Sequence, residues 1–242
     1  MTVVPVVDAA VFALRPDAVV LALVATGLTA GPSDDRSLAD LASAARAAAD
    51  AGHAADPAAH PHVAAWRDTY RAFGAKPQRT RSSVEALLRR VDPGSSPSGG
   101  LPAVNAVVDA YNAVSVRHAL PAGGEDLAAY TGTPRLVRAT GDEPFDTVVA
   151  GEPAVEHPEA GEVVWRDDTG VTCRWWNWRQ CARTRITERT TDALFLLERL
   201  EPMSLDALAA AGDDLAGLLR GRGATVRSVL VDSVLTDGQV RQ

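Results

Sequence analysis

At 242 residues the chain is long enough for one large domain or two small ones, and for a sizeable core. Hydrophobic residues make up 46% and charged residues 23%, the balance of a folded globular protein rather than a disordered one. The net charge of −7 argues against indiscriminate nucleic-acid binding, and no apolar run reaches the ~18 residues of a membrane-crossing helix.

The first residues, MTVVPVVDAAVFAL, carry no basic segment before their apolar run, so no signal peptide is expected. Cys173 and Cys181 have neither the spacing nor the companions of a zinc site and read as reduced thiols of a cytoplasmic protein. Lys76 is the sole lysine, so positive charge is almost all arginine, whose planar fork suits phosphate. It gathers in two groups: Arg67, Arg71, Arg79, Arg81, Arg89 and Arg90 with Lys76, and Arg174, Arg179, Arg183, Arg185 and Arg189.

In chain order, residues 9–29 set apolar segments on either side of Arg15-Pro16-Asp17, which reads as two strands joined by a turn. Ser33, Asp34 or Asp35 then caps a helix with Leu38, Leu41, Ala45 and Ala49 on one stripe, ending near Gly52. Residues 53–62 hold three of the five histidines without a convergent further ligand, so a polar loop is expected rather than a metal site. HVAAWRDTYRAFG forms a second helix stopping at Gly74. A third, capped by Ser82 or Ser83, turns Val84, Leu87, Leu88 and Val91 inward. Residues 92–100 read as a flexible connector inside one domain spanning 1–242. A buried helix covers 103–119, and LPAGGED makes a turn after it. Strands follow from about 130 to 178, then a helix at about 190–201, a Ser204-capped helix through about Leu219 and a last strand over 224–235. This partial segregation of helices and strands favours an α+β fold.

Several polar residues stand inside apolar runs, where an unpaired group costs roughly 1–3 kcal/mol. They build a polar network or line a site. Asp109 suits a structural pairing with backbone or an arginine, whereas Asn112 is open between a helix-stabilising amide and a site amide. Gly123 and Gly124 let a ligand approach free backbone N–H groups, and Glu125 and Asp126 either bind a substrate cation or cap the next helix. Strand alternation through WWNWRQ would set Trp176, Trp178 and Gln180 on one face and Asn177 and Arg179 on the other. Glu198 is a site or a surface carboxylate. There is no P-loop, dinucleotide fingerprint, nucleophile elbow or recognisable Cys–His pair.

The motifs stand in a telling order. Tyr70-Arg71-Ala72-Phe73-Gly74 precedes Lys76-Pro77, followed by SSVEALLRRV, VDAYNAVS, LPAGGED, GEVVW, WNWRQ and TTDALFLLE. Over about residues 60–200 this series resembles the free-standing B3/B4-domain proteins. VNAVVDAYNAV in particular resembles a run in the B3/B4 editing domain of the phenylalanyl-tRNA synthetase beta subunit. The match departs where Gly123 replaces a histidine and Tyr111 a threonine.

The resemblance implies a layered α+β domain that hydrolyses the ester of a mischarged aminoacyl-tRNA in trans. It assigns Asn112 and Glu198 to positioning substrate and water. Tyr111, Pro121, Gly123, Gly124, Glu125, Asp126, Asn177, Arg179 and Gln180 would bind substrate, the Gly123-Gly124 backbone serving as an oxyanion or α-amino cradle. Arg71, Lys76, Arg79 and Arg81 would bind the tRNA. No cofactor, metal, membrane or DNA partner is expected, nor charging of tRNA, since synthetase ATP-binding motifs are missing. Tyrosine on phenylalanine tRNA and an arginine analogue on arginine tRNA both suit the family. The carboxylates favour the cationic side chain. The alternative is a non-catalytic RNA- or amino-acid-binding module of the same fold.

Overall fold

The computed structural model describes residues 3–233. Its first half runs β1 (Val6–Val7), α1 (Ala9–Leu14), β2 (Val19–Thr26), α2 (Asp35–Asp50), α3 (Pro61–Ala72), α4 (Ser83–Leu88) and α5 (Ala106–His118). The second half runs β3 (Ala122–Asp126), β4 (Arg135–Arg138), β5 (Phe145–Val149), β6 (Glu152–Glu156), β7 (Val163–Arg166), β8 (Val171–Arg174), β9 (Arg179–Gln180), β10 (Asp192–Arg199), α6 (Leu205–Arg220) and β11 (Thr225–Val231). This is the α+β class expected.

A four-stranded antiparallel sheet, ordered β11-β2-β10-β3, lies between two cores. On one face Val20, Ala22, Leu194 and Leu196 meet Leu136, Val163, Trp165 and Cys173 of a five-stranded sheet, β1-β4-β7-β8-β9, and Trp66 and Tyr70 of α3. On the other, Leu23, Phe195 and Leu197 pack against α5 and α6 through Val107, Val114, Leu208 and Leu215. A strand buried on both faces reads as a continuous apolar run. That explains why 190–201, expected as a helix, is β10: Ala193 through Glu198 are all buried. Leucine favours helices, but burying four large side chains here, at roughly 1.5–3 kcal/mol each, outweighs that preference.

Three other expectations change. The first segment of 9–29 is the helix α1, started by Asp8, whose carboxylate accepts from Ala10 N at 2.7 Å. LPAGGED is not a turn: Ala122 to Asp126 pair with β10 as an edge strand. WWNWRQ is not one strand either. β8 ends at Arg174, and Trp175 and Trp176 take left-handed φ values of 50° and 67° in a tight turn leading to β9. The final strand ends at Val231, and residues 234–235 of its expected span lie outside the described residues.

The helix signals hold up better. Asp34 and Ser37 form a reciprocal cap for α2, and Ser82 caps α4, which stops at Leu88 rather than Val91. Asn105 caps α5, accepting from Val107 N and Val108 N. Asp109 is structural, as expected, but its partners are Ser37 Oγ at 2.8 Å and Val104 N at 2.9 Å rather than an arginine. In the histidine-rich stretch, burial pushes His62 down to about pKa 4. Its Nε2 accepts from Trp66 Nε1 and Leu200 N, which leaves Nδ1–H to donate to Ala119 O.

Candidate functional site

Where the edge strand β3 meets the five-stranded sheet, a cavity of about 240 Å³ opens. Pleating sends alternate residues to one face, so β3 contributes Gly123 and Glu125, and β10 contributes Leu196 and Glu198. Trp165 of β7 and Cys173 of β8 form the opposite wall. The left-handed turn adds Trp176, Asn177 and Trp178, α4 adds Ser83 and Leu87 with Arg90 just past its end, and α5 adds Tyr111 and Asn112. The volume lies below the roughly 300–1,000 Å³ of drug-sized sites and suits a group about the size of one amino acid.

Glu198 anchors a buried network. Its Oε1 accepts from Trp165 Nε1 and its Oε2 from Asn177 Nδ2, both at 2.7 Å, while Asn177 Oδ1 accepts from Tyr70 OH at 2.8 Å. Trp176 Nε1 leans toward the same carboxylate without reaching hydrogen-bond geometry and has no other partner among the described residues. Burial pushes Glu198 up to about pKa 7, against the pull of the N–H donors toward the ionised form. Glu125 is buried under the hydroxyl of Thr184, and burial pushes it up to about 8. Four residues of β-strand separate the register positions of these carboxyls, about 13 Å. They therefore flank the cavity rather than share a proton. Burial pushes the Cys173 thiol far above its usual value, so no thiolate nucleophile is present.

Asn112 is 8% exposed and lines the cavity, and its amide finds no hydrogen-bond partner among the described residues. Ser83 Oγ is a second unpartnered polar atom in the wall. The Asn112 amide is open to the cavity and Ser83 Oγ is buried without a partner among the described residues, so both leave hydrogen-bonding capacity in the wall.

The structure thus brings together Tyr111, Asn112, Gly123, Glu125, Asn177, Gln180 and Glu198 of the expected site residues. Others fall elsewhere. Asp126 caps a short 3-10 turn through Ala128 N and accepts from Thr190 Oγ1. Pro121 is occupied in the sheet, its carbonyl accepting from Glu198 N at 3.0 Å. By the antiparallel alternation, that contact makes Gly123 and Leu196 the next hydrogen-bonded pair. Gln180 Nε2 takes the Gly124 carbonyl at 2.7 Å. The Gly123-Gly124 backbone is therefore sheet, not the open cradle expected of a turn. Arg179 is bonded to Glu156 and lies over the Phe145 and Trp178 rings, outside the cavity lining.

Arginine clustering has two meanings here. Arg67, Arg81 and Arg89 converge on the fully buried Glu85, with N–O distances of 2.7, 3.8 and 3.0 Å. Arg174 is held by Glu162 and Glu156, and Arg183 by Asp167. Of the residues expected on tRNA, Arg71 pairs weakly with exposed Asp68. Lys76 and Arg79 are exposed on one turn and meet no carboxylate among the described residues. Trp165, Tyr70, Ser83, Arg90 and Trp178 were not singled out by the sequence as site residues. The arginine cluster signals Arg90 for phosphate rather than for this cavity, and the others are signalled only by position inside the recognised motifs, since their partners lie far away in the chain.

The model of a family described as the B3/4 domain matches residues 65–211, which include every residue of the cavity wall. Among solved structures, the chain is similar to an N-terminal fragment of the phenylalanyl-tRNA synthetase beta-subunit from Pyrococcus horikoshii. That likeness has 13% identity and a TM-score of 0.48, covering 94% of this chain and 51% of the other, so the chain spans about half of that fragment. No curated protein matches the chain.

Proposed function

The chain belongs to the B3/4 domain family, and from that premise we propose that it is a trans-editing aminoacyl-tRNA deacylase. The observation that carries this reading is an amino-acid-sized cavity with an unpartnered amide, Asn112, on one wall and a buried carboxyl, Glu198, on another. An aminoacyl ester is activated, so hydrolysis needs chiefly a positioned water and a donor for the developing oxyanion. Glu198, poised near neutral pH, takes a proton from water as the oxygen attacks the ester carbonyl. Each of its oxygens keeps a lone pair beyond the bonds from Trp165 and Asn177. Asn112 Nδ2 donates to the carbonyl oxygen as charge builds there. The intermediate then collapses, and the proton leaves with the ribose oxygen. Mischarged tRNA is the partner this chemistry requires.

The walls favour an uncharged side chain. Tyr111, Trp165 and Trp176 are aromatic, Glu125 is largely protonated at neutral pH, and Asp126 is engaged elsewhere. This weighs against the cationic preference that acidic residues alone suggested. Deacylation rates across tRNAs charged with aromatic, aliphatic and cationic amino acids test both statements. Turnover concentrated on uncharged side chains supports them. Binding of every charged tRNA without turnover would leave a binding module instead.

A further inference from the structure

We infer that Arg90 and Trp178 form a clamp for the 3′-terminal nucleotide of an RNA at the cavity mouth, an inference that rests on the deacylase reading. Arg90 is the one cation among the residues lining the cavity. Arg67 of α3 and Arg89 just past α4 pair with Glu85, whereas Arg90 is exposed and meets no carboxylate among the described residues. An arginine kept beside an amino-acid-sized pocket without a counter-charge suits an anion attached to the occupant. A phosphodiester next to the esterified ribose is such an anion.

Trp178 supplies the second part. It lines the same cavity but remains partly exposed, unlike the fully buried Trp165 and Trp176. Its place depends on the turn, where two tryptophans hold left-handed backbone that residues with a Cβ rarely adopt. Strain of this kind gathers at ligand sites. Here it folds Trp176 inward and brings Trp178 to the rim. The Arg179 guanidinium backs the Trp178 ring at 4.9 Å, and Glu156 holds that guanidinium in turn. A ring braced in this way offers its π-face to a base, and base–aromatic stacking is tolerant of sequence. Phosphate on Arg90 and base on Trp178 would direct the ester carbonyl of the same nucleotide into the cavity.

The test uses the full chain and the trinucleotide CCA as probe, followed by quenching of tryptophan fluorescence. Trp178→Ala should weaken binding by roughly tenfold or more. Arg90→Ala should make the slope of log K against log salt shallower by about 0.7. Arg90→Lys should restore the slope and Trp178→Phe much of the affinity. Both alanine variants should raise KM for aminoacyl-tRNA by a larger factor than KM for an amino-acid methyl ester, which has neither base nor phosphate. CCA affinity unaltered by either substitution, or no CCA binding by the wild type, overturns the clamp whatever the activity. A wild type that binds CCA through these residues but hydrolyses no aminoacyl ester keeps the clamp and rejects the deacylase reading.

Discussion

Glu198 is the residue on which activity and stability pull in opposite directions. Its carboxyl is raised to about 7 in the folded protein from an ordinary value of 4.5. Between those values the folded state holds the extra proton, so stability is full below about 4.5 and declines as pH rises through about 7. Glu125, raised to about 8, extends the decline upward. As a general base, however, Glu198 works only when ionised. The deacylation rate should therefore rise through about pH 7 as the denaturation midpoint falls, and Glu198→Gln should abolish the rising limb of kcat/KM. Glu125→Gln should leave stability near wild type at pH 5 and exceed it at pH 9. A stability that climbs from pH 5 to 9 in the wild type would contradict the burial of both carboxyls.

At the scale of elements, β3 owes its place to two glycines with different duties. A Cβ on Gly124 would lie 2.6 Å from Ile186 Cδ1 and 2.9 Å from Phe195 Cε1, inside a packed core. Gly124→Ala should cost about 1–3 kcal/mol by overpacking. A Cβ on Gly123 meets only Gln180 Nε2 at 3.5 Å on the cavity side, so Gly123→Ala should fold normally and change turnover instead. Urea midpoints and rates on the two variants separate these outcomes. The same strand shows what the sequence hides. Gly-Gly before two acids carries the composition of a turn, and only its tertiary partner, β10, makes it a strand. β10 was misread for the complementary reason: an unbroken apolar run has no period that separates a doubly buried strand from a buried helix. α2, α4 and α6 were legible because Asp34, Ser82 and Ser204 cap them through local hydrogen bonds, whereas the Asp8 cap of α1 went unread. The cavity lining was legible where a motif carried it, at Asn112, Asn177, Gln180 and Glu198. It was not legible where it depends on pairings such as Tyr70 with Asn177, which are 107 residues apart.

For the whole molecule, the proposed function asks how a chain of net charge −7 would receive a polyanion. Arg67, held at 2.7 Å by buried Glu85, is committed to the fold, because removing one partner of a buried pair costs about 3–5 kcal/mol. Arg67→Glu should therefore destabilise the fold through Glu85, which is fully buried. Lys76 and Arg79 have no such obligation. Lys76→Glu with Arg79→Glu should weaken tRNA binding and flatten its salt dependence by roughly 0.7–0.9 per lost phosphate contact. The thermal midpoint and the hydrolysis of aminoacyl-adenosine should stay unchanged. Equal tRNA affinity for this variant and the wild type would move the docking face elsewhere.

The central claim, that this cavity hydrolyses an aminoacyl ester, is tested most directly by single-turnover deacylation of mischarged tRNA by the wild type and by Asn112→Ala. The account predicts that the wild type releases the amino acid well above the spontaneous rate. Asn112→Ala, with an unchanged denaturation midpoint, should be slower by about 10²-fold or more, as for loss of an oxyanion donor. Turnover undiminished in a well-folded Asn112→Ala variant would contradict the assignment of the site, and spontaneous release alone with the wild type would contradict the function.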